Sequence, residues 1–315
     1  MELNTIYNED CLEGMKRMPD NSIDLIVTSP PYFNAREYSQ WETLEEYLSD
    51  MKDILKECKR VVKNHKYIIY NVGDIVSHIG GAKWNTRKLP LGAYFTTIME
   101  ELGLLFIDDI IWDKGEPQSK RNLGNPPFPY YQYPVNVYEH ILIFRKSDIN
   151  TQKIACPVCD DTIVVSNSQS SIGVQSWECK NPKCPQKSKG GRGKRFSERS
   201  IMMESYKADT NKIDEEILKN WRRDIVRLNP VFKINNKKEN TIGHSAPFPI
   251  DIPEMALLFY TGVGDLVLDP FLGSGTTAIA AINTNRNFIG FELDKDYYNN
   301  AQDRIKNHEQ QLALI

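Results

Sequence analysis

The chain has 315 residues, of which 40% are hydrophobic and 26% are charged, so it is long enough for one large domain with an insertion or for two domains. No apolar run approaches the roughly 20 residues that a membrane helix needs, and the N-terminus lacks the basic and apolar stretches of a secretion signal. These features argue against a membrane protein and predict a cytoplasmic one.

The net charge of −3 conceals two basic stretches. Residues 180–199 hold eight Lys and Arg against one Glu, and residues 219–238 hold seven against one Asp. Solvated polar faces are one explanation of such stretches. The other is contact with a phosphate backbone, which concentrated positive potential favours.

Six short apolar runs predict strands at residues 24–28, 67–72, 109–112, 140–144, 266–269 and 288–292. Between the first two, apolar residues at three- and four-residue spacing predict an amphipathic helix: Leu44, Tyr47, Leu48, Met51, Ile54, Leu55, Cys58, Val61 and Val62. Further helices are predicted from Pro253 to Tyr260 and after Gly275. Strands that alternate with helices indicate an open, largely parallel α/β sheet.

Residues 147–240 interrupt this alternation and predict an insertion or a small second domain. It contains two close cysteine pairs, Cys156 with Cys159 and Cys179 with Cys184, at the spacing of a zinc ribbon. Disulfides are the alternative, but a cytoplasmic protein disfavours them. Because four thiolates would complete a tetrahedral site, the predicted zinc at residues 156–184 is structural and not catalytic.

A glycine turn follows the predicted strand at residues 266–269. Gly273 and Gly275 allow close approach of backbone to a ligand, and the helix that begins near Thr276 favours negative charge at its N-terminus. Glu292 follows Gly273 by 19 residues and can accept hydrogen bonds from both hydroxyls of a ribose. The spacing also fits a dinucleotide fingerprint, so a nicotinamide-dependent dehydrogenase is an alternative at this point.

The segment Ser29-Pro-Pro-Tyr32 stands at the C-terminal end of the first predicted strand. Open α/β sheets bind their ligands at that edge. The two prolines have no amide donors, so their carbonyls can only accept hydrogen bonds. Acceptors beside an aromatic ring suit a planar group that bears an NH2, although a simple strand-ending turn would also contain Pro-Pro.

Taken together, Ser29–Tyr32 and Asp269–Thr276 resemble the motifs of DNA amino-methyltransferases, and their order resembles the circularly permuted β class. Two further segments carry the resemblance. His244–Pro249 is similar to the segment that closes over the methionine end of S-adenosylmethionine. Asn8–Cys11 is similar to the stretch that holds the adenine, where the Asp10 carboxylate accepts from the amino group. Two more segments also resemble this family, Asn71–Asp74 and Ile110–Lys114.

The resemblance implies a Rossmann-like methyltransferase sheet with helices on both faces, formed by a catalytic domain at residues 1–146 and 241–315. Residues 147–240 occupy the place of the target recognition domain. The implied catalytic residues are Ser29, Pro30, Pro31 and Tyr32. The implied cofactor-binding residues are Asp10, Cys11, Phe248, Pro249, Asp269, Pro270, Gly273, Gly275, Thr276 and Glu292.

The resemblance also implies the reaction, a methyl transfer from S-adenosylmethionine to the exocyclic amino group of a base flipped out of double-stranded DNA. Ser29 at the first motif position favours cytosine N4, and adenine N6 is the alternative. Carbon-5 methylation is not expected, because neither Cys11 nor Cys58 follows a proline at this strand edge; Cys58 is expected in the core. A cognate restriction endonuclease is a possible partner, and a non-catalytic zinc-ribbon DNA-binding protein is the remaining alternative.

Overall fold

The computed structural model describes residues 1–33, 41–78, 86–115, 137–147, 154–169, 175–186, 193–197, 211, 213–229 and 248–312. Its residues form two compact units, Met1–Ser147 with Asn211–Ile315, and Asp148–Thr210. None of the described helices is long and apolar enough to cross a membrane.

The strands are β1 (Thr5–Tyr7), β2 (Ile23–Thr28), β3 (Val62–Val72), β4 (Ile75–His78), β5 (Thr86–Leu89), β6 (Leu104–Asp113), β7 (Tyr138–Lys146), β8 (Val164–Gln169), β9 (Gln175–Cys179), β10 (Arg195–Ser197), β11 (Ile225–Arg227), β12 (Leu266–Asp269) and β13 (Asn287–Phe291). The helices are α1 (Cys11–Lys16), α2 (Leu44–Val61), α3 (Leu91–Glu101), α4 (Glu215–Trp221), α5 (Asp251–Tyr260), α6 (Thr276–Asn283) and α7 (Lys295–Leu312).

The larger unit is organised around an eight-stranded sheet in the order β1-β13-β12-β2-β3-β7-β6-β11. Its strands run parallel except β7, which is antiparallel to both β3 and β6. The predicted, largely parallel sheet is thus a mixed one. An apolar run carries no information about its own direction, so the sequence could not identify the reversed strand.

Helices cover both faces of this sheet. Successive side chains of a strand point to opposite faces, so a central strand contributes side chains to a core on each side. Ile26 of β2 packs in a core with residues of α1, α2 and α3. Its neighbours Leu25 and Val27 pack in a second core with residues of α5, α6 and α7. This arrangement explains why the central strands lack polar alternation.

The helix α2 follows its predicted periodicity. The Thr43 hydroxyl accepts from the Glu46 amide (3.1 Å) and caps the N-terminus, and the buried residues include Cys58, as expected for a core residue. Val62 does not belong to the helix. It has extended backbone angles and begins β3, so the predicted stripe extended one residue too far.

The boundaries of the predicted insertion, 147–240, differ from those of the smaller unit, which ends at Thr210. Residues after it join the large sheet, since β11 pairs in parallel with β6 and places Val226 in the core. Trp112 also donates its indole N–H to the Leu228 carbonyl (2.9 Å). The two basic stretches therefore belong, where described, to different units.

Both ends of the smaller unit connect to well-anchored residues of the larger one. Lys146, at the end of β7, is buried and donates to Asn21 and to the Val62 carbonyl (2.8 and 2.9 Å). Where the chain returns, Asn211 donates to the Leu258 and Thr261 carbonyls, both at 2.7 Å. The Arg286 guanidinium donates to the Asn211 side chain (2.6 Å) and fixes it from the other side.

The smaller unit contains the antiparallel sheet β10-β9-β8 and a small core. Among its described residues, the buried hydrophobic side chains are Cys156, Cys179, Cys184 and Phe196, with Trp177 stacked on Phe196 at 6.3 Å between ring centroids. Three of these four are thiols, so the described part of the unit buries little apolar surface.

Candidate active site

The predicted site residues collect at one edge of the large sheet. The parallel strands β2, β3, β12 and β13 all end there, and β7 begins there because it runs in the opposite direction. Strands β2 and β12 are neighbours, so the loops that follow them are adjacent. This edge is where open α/β sheets bind ligands.

Asp269 connects the two loops from inside the protein. Its Oδ1 accepts from the Thr28 hydroxyl (2.6 Å) and the Phe271 amide (3.0 Å), and its Oδ2 accepts from the Thr277 hydroxyl (2.6 Å). Burial raises the pKa of this carboxyl to about 6. Asp269 was predicted to bind the cofactor, but in this structure its carboxylate contacts the end of β2 and the first turn of α6.

The glycine loop between β12 and α6 has the expected backbone freedom. Gly273 and Gly275 have φ angles of 55° and 82°, in the left-handed region that glycine adopts without strain. Arg304 of α7 donates to the Ser274 carbonyl (3.0 Å) and the Thr276 hydroxyl (3.1 Å) and so braces the loop. No sequence pattern indicated Arg304, because it lies on a helix without a motif. Pro270 of this loop and Thr276, the first residue of α6, are both buried.

Glu292 follows β13 and faces the glycine loop. Its Oε2 accepts from the Gly273 amide and its Oε1 from the Asp294 amide, both at 2.8 Å. Burial raises the pKa of Glu292. Each carboxylate oxygen can accept a second hydrogen bond, so two acceptor positions suit the two hydroxyls of a ribose. The side chain of Asn8 holds the loop by donating to the Glu292 and Leu293 carbonyls.

The residues Asp10 and Cys11 begin α1. Asp10 is its N-cap, and its Oδ1 accepts from the Leu12 and Glu13 amides (2.9 and 3.1 Å). Both bonds go to Oδ1 of Asp10. That the Asp10 carboxylate accepts a hydrogen bond from the amino group of a cofactor adenine stays a prediction. Cys11 is buried in the core, and burial raises the pKa of its thiol. Its side chain therefore packs in the protein interior.

Phe248 and Pro249 precede α5 and are both buried. Phe248 packs in the core shared with α5, α6 and α7. The preceding residues 244–247 of the predicted cofactor segment lie outside the described residues, so the role of that segment is a prediction.

The loop after β2 holds the predicted catalytic residues in one short turn. Tyr32 donates its hydroxyl to Glu139 Oε2 (2.9 Å), and the Ser29 side chain acts to lower the pKa of the same hydroxyl. Burial and the negative charge of Glu139 raise the pKa of Tyr32 well above its usual value. Tyr47 donates to the Pro31 carbonyl (3.0 Å), which leaves the carbonyl of buried Pro30 as the second candidate acceptor for a ligand NH2.

The four predicted zinc ligands come together in the smaller unit. Their sulfur atoms all lie within 4.8 Å of one another, and all four thiols are free of disulfides: Cys156, Cys159, Cys179 and Cys184. The Cys159 and Cys179 sulfurs are 3.7 Å apart. Two thiolates on a tetrahedral zinc ion at about 2.3 Å each would be about 3.8 Å apart, so the set fits zinc.

The nearby basic stretch is partly neutralised. Glu178 pairs with Lys180 at 2.7 Å and with Arg195 at 3.7 Å. In the described part of residues 178–197, Lys183 and Lys194 add to these cations, and Glu178 is the one carboxylate.

One edge of the mixed α/β sheet carries a glycine loop, an acidic residue at the spacing that suits a ribose, and an acceptor-rich loop with an aromatic residue. These features define a Rossmann-like protein with a nucleoside-type ligand site. The chain belongs to the DNA methylase family, whose model matches residues 23–303. This membership confirms the resemblance to DNA amino-methyltransferases and decides against the dehydrogenase alternative.

Individual relatives agree with this membership. The chain is similar to the Type II beta methyltransferase M.BslI of Bacillus sp. (strain NEB-606), at 38% identity over 94% of this chain. It spans only 27% of the length of that relative. It is also 31% identical to the Type II methyltransferase M.BglII of Bacillus subtilis, over 94% of this chain and 67% of the relative.

A solved structure supports the fold. TTHA0409 of Thermus thermophilus, determined in complex with S-adenosyl-L-methionine, superimposes with a TM-score of 0.60 at 22% identity. The match covers 96% of this chain and 95% of that one.

Proposed function

We propose that this protein is a site-specific DNA methyltransferase that transfers a methyl group from S-adenosylmethionine to N4 of a cytosine flipped out of double-stranded DNA. The observation that carries the proposal is the 2.6 Å hydrogen bond from Thr28 to Asp269. It fixes the Ser29–Tyr32 loop beside the glycine loop, so a base held by one loop lies next to a nucleoside held by the other.

The cofactor site fits S-adenosylmethionine by its donor and acceptor set. Glu292 retains acceptor positions for two ribose hydroxyls, and the left-handed glycines bring backbone close to the ligand. When bound, S-adenosylmethionine supplies an electrophilic methyl group on a sulfonium. We assign contacts with it to Asp10, Phe248, Gly273, Gly275 and Glu292, and we assign Asp269 an internal positioning role.

The residues of the Ser29–Tyr32 loop orient the nucleophile. An exocyclic amino nitrogen is conjugated with its ring and attacks poorly. Hydrogen bonds from the NH2 to Ser29 Oγ and the Pro30 carbonyl favour a more tetrahedral nitrogen with a free lone pair. Tyr32 stacks on the flipped base, and orientation supplies most of the rate gain. No covalent enzyme intermediate is needed.

The choice of base rests on Ser29, since serine at this motif position favours cytosine N4 in the family that the chain resembles. Adenine N6 is the alternative, because the matched family covers both targets. Incubation of the purified protein with S-adenosylmethionine and total DNA from a methylation-deficient bacterial strain tests the proposal. Mass spectrometry of the nucleosides should show N4-methylcytosine. N6-methyladenine would overturn the choice of base, and no methylated nucleoside would overturn the function.

We further propose that the smaller unit reads the DNA target and is ordered by one structural zinc ion. The part of this unit that the structure describes buries few apolar side chains, and a metal ion held by four converging thiolates would supply additional stability. Charge reversal at Lys194 and Arg195 should weaken binding to DNA of any sequence and flatten its salt dependence. Electrophoretic mobility shifts at two salt concentrations measure both effects. Unchanged binding would contradict the proposed contacts of Lys194 and Arg195 with phosphates.

The order of the two motifs along the chain places the protein, in our proposal, in the permuted β class. The relatives M.BslI and M.BglII are Type II methyltransferases by name. We therefore propose a role in restriction and modification, with a cognate endonuclease as partner. DNA from a bacterial strain that expresses the chain should resist cleavage by a restriction endonuclease that recognises the same site as the methyltransferase.

A further inference from the structure

Two segments of the sequence that resemble the family, Asn71–Asp74 and Ile110–Lys114, have no role in the reaction described above. Both end at the same sheet edge as the Ser29–Tyr32 loop, since β3 and β6 terminate there. Between these two strands lies β7, and Glu139 is its second residue. Register pairing places Glu139 opposite Trp112 of β6.

Glu139 makes the contacts of a holder for Tyr32. Its Oε2 accepts the Tyr32 hydroxyl at 2.9 Å. Its Oε1 forms an ion pair with the Lys114 ammonium, and the Glu139 side chain is 12% exposed. Lys114 is itself oriented, because its ammonium lies 4.9 Å from the centroid of the Trp112 ring. The carboxylate is thus fixed on one side and directed at the tyrosine on the other.

Gly73 provides the space that this carboxylate needs. A Cβ atom built on Gly73 would lie 2.9 Å from Glu139 Cγ and 3.2 Å from Glu139 Cδ. The first of these distances is shorter than real Cβ atoms make, so any larger residue at Gly73 would displace Glu139. The glycine of the first segment and the lysine of the second therefore act on the same carboxylate.

We propose that Glu139 is a positioning residue for Tyr32 and holds its ring in the plane that stacks on the flipped base. This inference rests on the proposed methyl transfer. Lys114 holds the carboxylate in place through their ion pair, and Gly73 leaves the volume for it. Without this hydrogen bond Tyr32 keeps its ring but loses its fixed orientation, and a small rotation of a stacked base moves its amino nitrogen out of line.

The test compares Glu139→Gln, Tyr32→Phe and the double variant with the unchanged protein. Transfer of tritium from labelled S-adenosylmethionine to total DNA of a methylation-deficient strain gives kcat and KM. Hydrogen bonds to charged groups are strong, so Glu139→Gln should lower kcat by about tenfold to a hundredfold. Because both groups act through one bond, the double variant should be little worse than Tyr32→Phe alone.

Gly73→Ala is an independent way to move Glu139 without changing its chemistry. Gly73→Ala should also lower kcat. In the Gly73→Ala background, Glu139→Gln should lower kcat by a smaller factor than it does in the unsubstituted protein. The matched control is Glu101→Gln, which removes a similar ion pair, Lys52 with Glu101 at 2.8 Å, on the exposed surface. That variant should keep normal kcat.

Calorimetric binding of S-adenosylmethionine separates positioning of Tyr32 from damage to the cofactor site. The affinity should stay unchanged in Glu139→Gln. Losses of kcat in Glu139→Gln and Tyr32→Phe that multiply in the double variant would overturn the inference, as would weakened cofactor binding. Absence of transfer by the unchanged protein would instead defeat the proposed function.

Discussion

Asp269 offers a quantitative test, because its carboxylate is buried and still ionises near neutral pH. We predict that Asp269→Asn removes a pH dependence of stability that the unchanged protein has. The substitution keeps the size and shape of the side chain. It can still accept from the Thr28 hydroxyl and the Phe271 amide, so the fold around it is preserved.

The magnitude follows from the pKa. Burial raises the pKa of Asp269 from 3.8 to about 6 in the folded protein. The folded state therefore binds the proton more tightly than the unfolded state, and protonation stabilises the fold. This contribution is complete below the unfolded pKa of 3.8 and is lost progressively as pH rises to and through the folded pKa of about 6. The full pKa difference corresponds to about 3 kcal/mol, and about 1.4 kcal/mol of it is lost between about pH 5 and pH 8.

The assay is urea-induced unfolding, followed by tryptophan fluorescence, of both proteins at about pH 5 and about pH 8. All other titratable groups are common to the two chains, so the difference of their free energies of unfolding isolates Asp269. The unchanged protein should lose about 1.4 kcal/mol more than Asp269→Asn between the two pH values. Equal losses, or a greater loss in the variant, would refute the account of a desolvated carboxylate.

Three further outcomes are expected. Glu292→Ala should weaken calorimetric binding of S-adenosylmethionine by about 1–3 kcal/mol, since ribose hydroxyls would lose their acceptors, and unchanged affinity would count against the cofactor site. Ser29→Ala and Tyr32→Ala should severely reduce methyl transfer while cofactor affinity survives; near-normal turnover in both would place the catalytic pocket elsewhere. Protein purified under reducing conditions should contain one zinc ion per chain by mass spectrometry. The double substitution Cys179→Ser and Cys184→Ser should abolish zinc binding and impair DNA binding. Absence of zinc from the unsubstituted protein would refute the zinc-ribbon hypothesis.

Local patterns predicted the elements at the centre of the fold. All six predicted strands are present, and α2 follows its apolar stripe as far as Val61. Such elements can be read because burial on one face or on both leaves a period in the sequence. In the large sheet, strands β1 and β11 were missed, since three residues are too few to show a period and β11 lies within a basic stretch.

The candidate site was predictable where its residues form a contiguous motif. Gly273, Gly275 and Glu292 were found by spacing, and the four cysteines by pairing. The internal contacts of Asp269 could not be foreseen, because its partner Thr28 is 241 residues away along the chain. Arg304 was missed because it lies on a helix without a motif, although its partners Ser274 and Thr276 are only 30 and 28 residues away along the chain. Such residues act through contacts that only the folded chain creates, and a single sequence records no trace of them.

The anchoring of Lys146 and Asn211 has a consequence for how this protein could change its specificity. Each residue is fastened to the larger unit, Lys146 by its bond to the Val62 carbonyl and Asn211 by its bond to the Thr261 carbonyl. On our proposal that the smaller unit reads the DNA target, the segment between them is a cassette, and its exchange for one of different sequence should change the target. A new DNA target would then be acquired by exchange of one contiguous stretch of gene, while the sheet edge proposed to carry out the chemistry is inherited intact.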